Sequence, residues 1–239
     1  MLRYQIRLHL VLAAVCAANV AHAYNFYPTQ AEWAVWPEFC KARYVTVPVG
    51  AASEYKDLVS PDLIATWTGI LGSCWSGVHH YCAGIAKWSR AKSGQKSDYA
   101  LVDALSEFDY VRKWCPRENQ FWSQNESYRA MTLAAKGQRG PAMVSIGEAI
   151  SSHPSYDGSY IAKSMLLRDE GKLLEAHQAL LDGEKATEGR SAELQYALGL
   201  SYFQRKEFEK ARDAARKAYQ LGYPLPGLRD RLKKSGYPL

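Results

Sequence analysis

The sequence predicts an all-α solenoid of stacked helical hairpins behind an N-terminal cap stapled by disulfides. Three observations carry this. Ser191 to Pro226 scans as two short amphipathic helices around a polar turn, Arg205-Lys206-Glu207. Leu194, Leu198 and Tyr202 fall four apart on one face, and Phe208, Ala211, Ala215 and Ala218 form the facing stripe. The unit recurs upstream in phase, with Ala176 35 residues before Ala211 and Ala142 34 before Ala176. Finally, all 7 tryptophans lie between Trp33 and Trp122, and every cysteine but Cys16 lies between Cys40 and Cys115, so composition shifts near residue 125.

At 239 residues the chain can bury a sizeable core in one or two domains. Residues 1–23 are expected to be a secretory signal peptide. Arg3 and Arg7 form a positive start, Leu8 to Ala21 is mostly apolar, and Ala21-His22-Ala23 is a small-x-small cleavage site. The run is too short and interrupted for a membrane span. Lipidation at Cys16 would need a smaller residue than Val15 before it, so cleavage after Ala23 is expected, delivering the mature chain to a bacterial periplasm or beyond. Loss of the two arginines takes the formal charge from +6 to +4. That balance reads as mildly basic and spread among acidic residues, a solvated surface rather than a nucleic-acid footprint.

Residues 24–76 are expected to form the Trp/Cys-rich cap. Thr29-Gln-Ala-Glu32 reads as a capping box opening a short helix, Pro37 ends it, and Glu38 to Arg43 gives one more turn. Tyr44 to Val49 alternates like a strand but has no pairing partner, so extended loop is expected. Ser60-Pro61-Asp62 starts a helix whose apolar face is Leu63, Ile64, Trp67 and Ile70. Residues 77–125 are expected to be a longer, divergent hairpin. Its first helix, Gly77 to Arg90, gathers Val78, Tyr81, Cys82, Ile85 and Trp88 on one side; its second, Asp98 to Lys113 capped by Ser97, turns Leu101, Ala104, Leu105, Phe108 and Val111 inward. Three repeats follow over 126–226. In 227–239, Leu228 to Lys234 is a short charged helix that would cover the end of the stack.

The Ser191–Pro226 unit resembles the tetratricopeptide repeat, a helix–turn–helix of about 34 residues. Leu198, Gly199 and Tyr202 match its first-helix signature, Ala211 and Ala218 its small second-helix positions, and Pro224 lies beside its closing proline. Gln195 stands where the consensus has tryptophan. The upstream second helices are GQRGPAMVSIGEAISSHP (Gly137 to Pro154) and GKLLEAHQAL (Gly171 to Leu180). Their first helices are looser, using Tyr128, Met131 and Ala135 in one and Tyr160, Ser164 and Leu167 in the other; Gly183 and Glu188 also depart from the pattern. A single repeat cannot bury its own faces, so the units are expected to stack.

The four cysteines beyond residue 23 allow two disulfides in three connectivities. If the two helices of the divergent hairpin are antiparallel, Cys74 and Cys115 sit at one end, leaving Cys82 for Cys40. Cys74–Cys82 would span about 12 Å if both were helical, so it stays open only for a Cys74 in a folded-back loop. His79 and Cys82 have the spacing of two metal ligands on one helix face, but a bridged Cys82 is a poor ligand and His80 points away. No metal or cofactor is expected. His153 and His177 read as isolated.

Nothing supports a catalytic site. Ser73 and Ser76 lie near His79 and His80 without the context of a nucleophile, and Glu107 and Asp109 read as solvated. Glu118 and Glu126, near Phe121 and Trp122, are the only candidates for a lysozyme-like acid. A non-catalytic interaction or scaffolding protein of the cell envelope is expected, binding a protein or peptide in a concave groove. In proteins of this resemblance, ligand contacts come from fixed first-helix positions. Carried over, these are Glu193, Tyr196, Leu200, Phe203 and Gln204, and in the preceding, degenerate repeat Ile161, Met165, Arg168 and Asp169. The rival is an exported carbohydrate-binding or hydrolytic protein using Trp33, Trp36, Trp67, Trp75 and Trp122, although such tryptophans more often fill a core.

Overall fold

The computed structural model describes residues 25–94 and 99–239, and every regular element among them is helical. The expected signal peptide, Cys16 and the helix start at Ser97-Asp98 lie outside the described residues. Helix α1 (Gln30–Val35) opens on its capping box: Thr29 Oγ1 accepts from the Glu32 N–H at 3.2 Å and Glu32 Oε2 from the Thr29 N–H at 2.7 Å. Pro37 separates it from α2 (Glu38–Tyr44). Tyr44–Val49 is not extended: a turn leads directly into α3 (Pro48–Ala51), whose first position the proline occupies. The apolar residues there, Tyr44, Val45 and Val47, are all buried in the cap, so they sit on successive sides of a turn rather than one side of a strand.

Helix α4 (Pro61–Leu71) starts at Ser60, whose Oγ accepts from the Leu63 N–H at 3.2 Å. Leu63, Ile64 and Trp67 pack on the cap, but Ile70 is 60% exposed because the helix lies at the rim. A 3-10 stretch, Gly72–Gly77, leads into α5 (Val78–Lys92), and α6 (Ala100–Trp114) returns beside it. Both expected bridges are present, Cys74–Cys115 and Cys40–Cys82. With sequence separations of 41 and 42 residues, each is worth about 4 kcal/mol in a chain-entropy account. The tryptophans Trp33, Trp36 and Trp122 are buried and Trp67 and Trp75 half-buried among other rings, Trp33 stacking on Tyr55 with centroids 4.2 Å apart.

Three hairpins follow: α7 (Gln120–Ala135) with α8 (Arg139–Ser152), α9 (Asp157–Asp169) with α10 (Leu173–Ala186), and α11 (Ala192–Gln204) with α12 (Phe208–Gln220). The first helices α7, α9 and α11 stack in order, and α6 packs on α7. The first of these hairpins begins at Gln120, so α7 runs across position 125. Equivalent turn positions take positive φ at Gly137 (+77°), Gly171 (+76°) and Lys206 (+61°), the last without the glycine that this backbone favours. In α7 the stripe Tyr128, Met131, Ala135 is not the buried one. Ser123, Asn125, Glu126, Ala130, Thr132 and Leu133 are deeper, because α6, α8 and α9 enclose this helix from several sides.

Helix α13 (Gly227–Lys234) closes the stack by burying Leu228 and Leu232 completely against Ala211 and Ala215. Gln195, in the tryptophan position of the resemblance, is also buried and donates from Nε2 to Glu184 Oε1 at 2.8 Å. Among the described residues no helix is long and apolar enough to cross a membrane. The positive charge is not spread as the sequence reading expects. Residues 205–239 hold 10 Lys and Arg against 4 Asp and Glu, which leaves 20 of each sign for residues 1–204. The whole formal charge of +6 therefore lies on α12, α13 and the turns beside them.

Candidate groove between the first helices

The spacing of α9 and α11 is set by small and slender contacts. Gly183 of α10 faces Tyr160 and Leu194, where a Cβ would stand 2.7 Å from Tyr160 Cβ. Buried Leu194 and Leu198 anchor α11 on its inner side, so the opposite side of the helix is left facing α9 across an open furrow. Helix α9 lines it with Ile161, Ser164, Met165 and Arg168, and α11 with Glu193, Tyr196, Ala197, Leu200, Ser201 and Gln204. Leu173, Ala176 and Leu180 of α10 add apolar surface, and the space measures about 620 Å³. That volume falls within the range of small-ligand sites and suits a few side chains of a peptide.

Seven residues carried over from the resemblance thus meet in one place: Ile161, Met165, Arg168, Glu193, Tyr196, Leu200 and Gln204. Two do not. Phe203 turns under the C-terminal helix, packing on the Leu228–Leu232 cluster with its ring 5.4 Å from Phe208. Asp169 belongs instead to a smaller cleft of about 90 Å³ with Trp88, Met131 and Arg139, which touches the groove through Met165. Nine lining residues lie outside the expected set: Ser164, Leu173, Ala176, Leu180, Ala197, Ser201, Arg205, Tyr223 and Arg231. Leu173 is 59% exposed at the head of α10, and a leucine at a helix start facing away from the repeat's small positions was the available signal. Arg205, Tyr223 and Arg231 come from a turn, a loop and the end helix, which no repeat pattern places.

Two stacked rings wall part of the groove. Tyr196 and Tyr223 stack with centroids 4.0 Å apart and planes 18° from parallel, an arrangement that holds a flat apolar wall. Four charged side chains line the groove beside this apolar surface: Arg168, Glu193, Arg205 and Arg231. Arg205 Nε lies 2.6 Å from a Glu207 carboxylate oxygen, and the Arg168 guanidinium stands 3.8 Å from Asp169. Arg231 has no carboxylate partner among the described residues. Behind the groove, His177 is buried and its Nδ1 lies 2.9 Å from Ser201 Oγ, tying α10 to α11. Burial first, and then the charge of Arg205, hold its imidazole below the usual pKa.

The other titratable clusters hold the structure together. Glu126 is fully buried, bonded to Arg112 and to Ser145 Oγ at 2.5 Å, and burial raises its pKa despite those partners. Arg112 also reaches Glu148 at 2.8 Å, joining α6, α7 and α8. Glu118 is exposed, and its backbone carbonyl rather than its carboxylate meets His153 Nε2 at 3.0 Å. His153 is not isolated, since its Nδ1 lies 2.8 Å from Ser123 Oγ; that hydroxyl is fully buried and offers no face to a substrate. Glu107 is likewise not solvated, sitting 2.5 Å from His80 Nδ1 and 2.6 Å from Lys87 Nζ. The His79 and His80 rings lie 4.3 Å apart between centroids. Cys82 is bridged, and no group of three or more His, Cys, Asp or Glu among the described residues could hold a metal ion.

No family model matches the chain, and no curated protein matches it. Among solved structures, the MamA RS-1 ArsTM double mutant is similar at 16% identity and a TM-score of 0.41, over 67% of this chain and 82% of that one.

Proposed function

We propose that this chain is a non-catalytic interaction module that holds a peptide or a partner's helix in the α9–α11 groove, serving an assembly or scaffolding role in the cell envelope. The observation that carries the reading is the convergence of Ile161, Met165, Leu200 and Leu173 on one open apolar floor with cations beside it. A largely apolar groove of this volume takes aliphatic side chains spaced along a segment, while the arginines that line it fix the segment's orientation. The stacked Tyr196–Tyr223 pair supplies a preformed anchor wall, the type of residue in which binding energy concentrates. The envelope setting rests on the expected signal peptide and on the two disulfides, which persist in oxidising compartments.

The test is in-cell crosslinking and affinity capture with the wild type and the variant R168A/Y196A/L200A. Selective loss of a captured partner from a variant that keeps its helical content and melting temperature supports the groove. Retention of every partner removes it. A parallel glycan capture addresses the rival reading, in which binding would survive the groove variant.

A further inference from the structure

The end of the stack carries a second surface that the groove does not explain. Helix α13 lies across the last hairpin with Leu228 and Leu232 buried, so its charged residues are directed outward. Arg229 and Lys233, one turn apart, join Arg216 of α12 around a broad, shallow depression of about 620 Å³. Arg229 and Lys233 have no carboxylate partner among the described residues, and Arg216 meets Asp213 only at 3.6 Å. The Arg229 guanidinium lies 4.3 Å over the Tyr219 ring, which holds it raised instead of folded back. The same end exposes leucines: Leu221 is 42%, Leu225 58% and Leu239 39% accessible. Leu239 lines the depression, and Leu225 is fixed beside it by its carbonyl, which accepts from Tyr219 Oη at 3.0 Å.

We propose that this end docks on an anionic lipid surface. Net charge of +6 on residues 205–239, against zero on the remainder, makes this end of the chain its cationic part. A plane of phosphates satisfies cations that are spread over a shallow surface and face one way, whereas a specific acidic peptide would call for a recess with oriented donors. Leucines at the rim match the acyl boundary just below the headgroups. Arg229 already covers one face of Tyr219, the aromatic ring that lines the depression, which leaves it a poor platform for stacking a nucleic-acid base. Arg231, on the same helix, lines the groove, so a docked molecule would hold the groove close to the bilayer. This inference does not depend on what the groove binds.

The experiment is co-sedimentation of the purified protein with vesicles of phosphatidylcholine alone or with about one third phosphatidylglycerol, at low and high salt. Binding is expected only with the anionic lipid, weakening steeply as salt screens it. R216Q/R229Q/K233Q should weaken it by about 100-fold, from roughly fivefold per cation near the surface. A charge-matched control, K56Q/K113Q/K185Q, should retain nearly all of it. Equal binding to neutral vesicles, equal loss in the control, or tight binding of soluble polyglutamate without vesicle binding would each overturn the proposal. Circular dichroism of both variants guards against a folding defect, and an L225S variant, which leaves every charge in place, should weaken vesicle binding separately.

Discussion

Gly84 of α5 and Phe108 of α6 are in such close register that a β-carbon on Gly84 would stand 2.7 Å from Phe108 Cε1. The hairpin beneath the cap can close only because one helix has no side chain there. Gly84→Ala should therefore destabilise by about 1–3 kcal/mol through overpacking, net of a helix-propensity gain near 1 kcal/mol. Denaturant titration checks this. Phe108→Leu should recover part of the loss, and Gly69→Ala, where nothing lies within 4 Å of the added carbon, should be neutral or stabilising.

Opening a bridge should loosen the cap first. C40A/C82A is expected to cost about 2–4 kcal/mol and to make the segment before α5 sensitive to protease, while fragments spanning α9 to α13 resist longer. Timed proteolysis with mass mapping reads this directly.

Removing Arg112 leaves Glu126 buried with only the more distant Arg129, whose Nη1 stands 3.9 Å from its carboxylate. R112A should cost about 3–5 kcal/mol at pH 7.5. Because burial raises the Glu126 pKa, the folded state binds a proton more readily than the unfolded chain, and that variant should regain stability as pH falls toward 5. Glu126→Gln in the R112A background should flatten that response.

His79 is buried, and burial, followed by the charges of His80 and Arg43, pushes its pKa down to about 3. The unfolded chain takes up the proton below about 6.5 and the folded chain does not, so stability should decline as pH falls from 6.5 toward 3. The neighbouring Glu107, whose pKa is held down by His80 and Lys87 against the cost of burial, adds a further loss below about 4.5. Melting curves of the wild type and of His79→Gln between pH 7.5 and 4.5 should show a shallower slope for the variant above 4.5.

Phe203 gives the opposite pattern to the groove residues. Packed beneath α13 and partly exposed, its truncation to alanine should cost about 2–3 kcal/mol, below the figure for a fully buried phenylalanine. Captured partners should be retained by the folded fraction. Loss of a partner without loss of stability would return Phe203 to the groove.

Local chemistry was enough for much of this architecture. Thr29 and Ser60 could be assigned as helix starts because a cap is made within four residues, and Leu194, Leu198, Ala211 and Ala215 because helical periodicity puts them on facing stripes. An antiparallel hairpin favoured Cys74–Cys115 with Cys40–Cys82 but left Cys74–Cys82 open, and the structure has the favoured pairing. The candidate groove was legible in part, since seven of its residues sit at repeat positions, but Arg231 and Tyr223 enter it from outside the repeat.

What the sequence by itself determined was the run of helices apart from α3, since their starts and stripes depend on neighbours a few residues away; it favoured the two bridges without excluding Cys74–Cys82. Only the tertiary structure decided that Phe203 packs beneath α13, that Glu107 and His153 have partners, and that Arg229 and Lys233 share a depression with Arg216 while Arg231 lines the groove. Each of those outcomes turns on which helix lands opposite which, a relation set by the packing of α13 on α11 and α12 and of α7 among α6, α8 and α9. A side chain's periodicity tells which way it leaves its own helix and says nothing of what waits there.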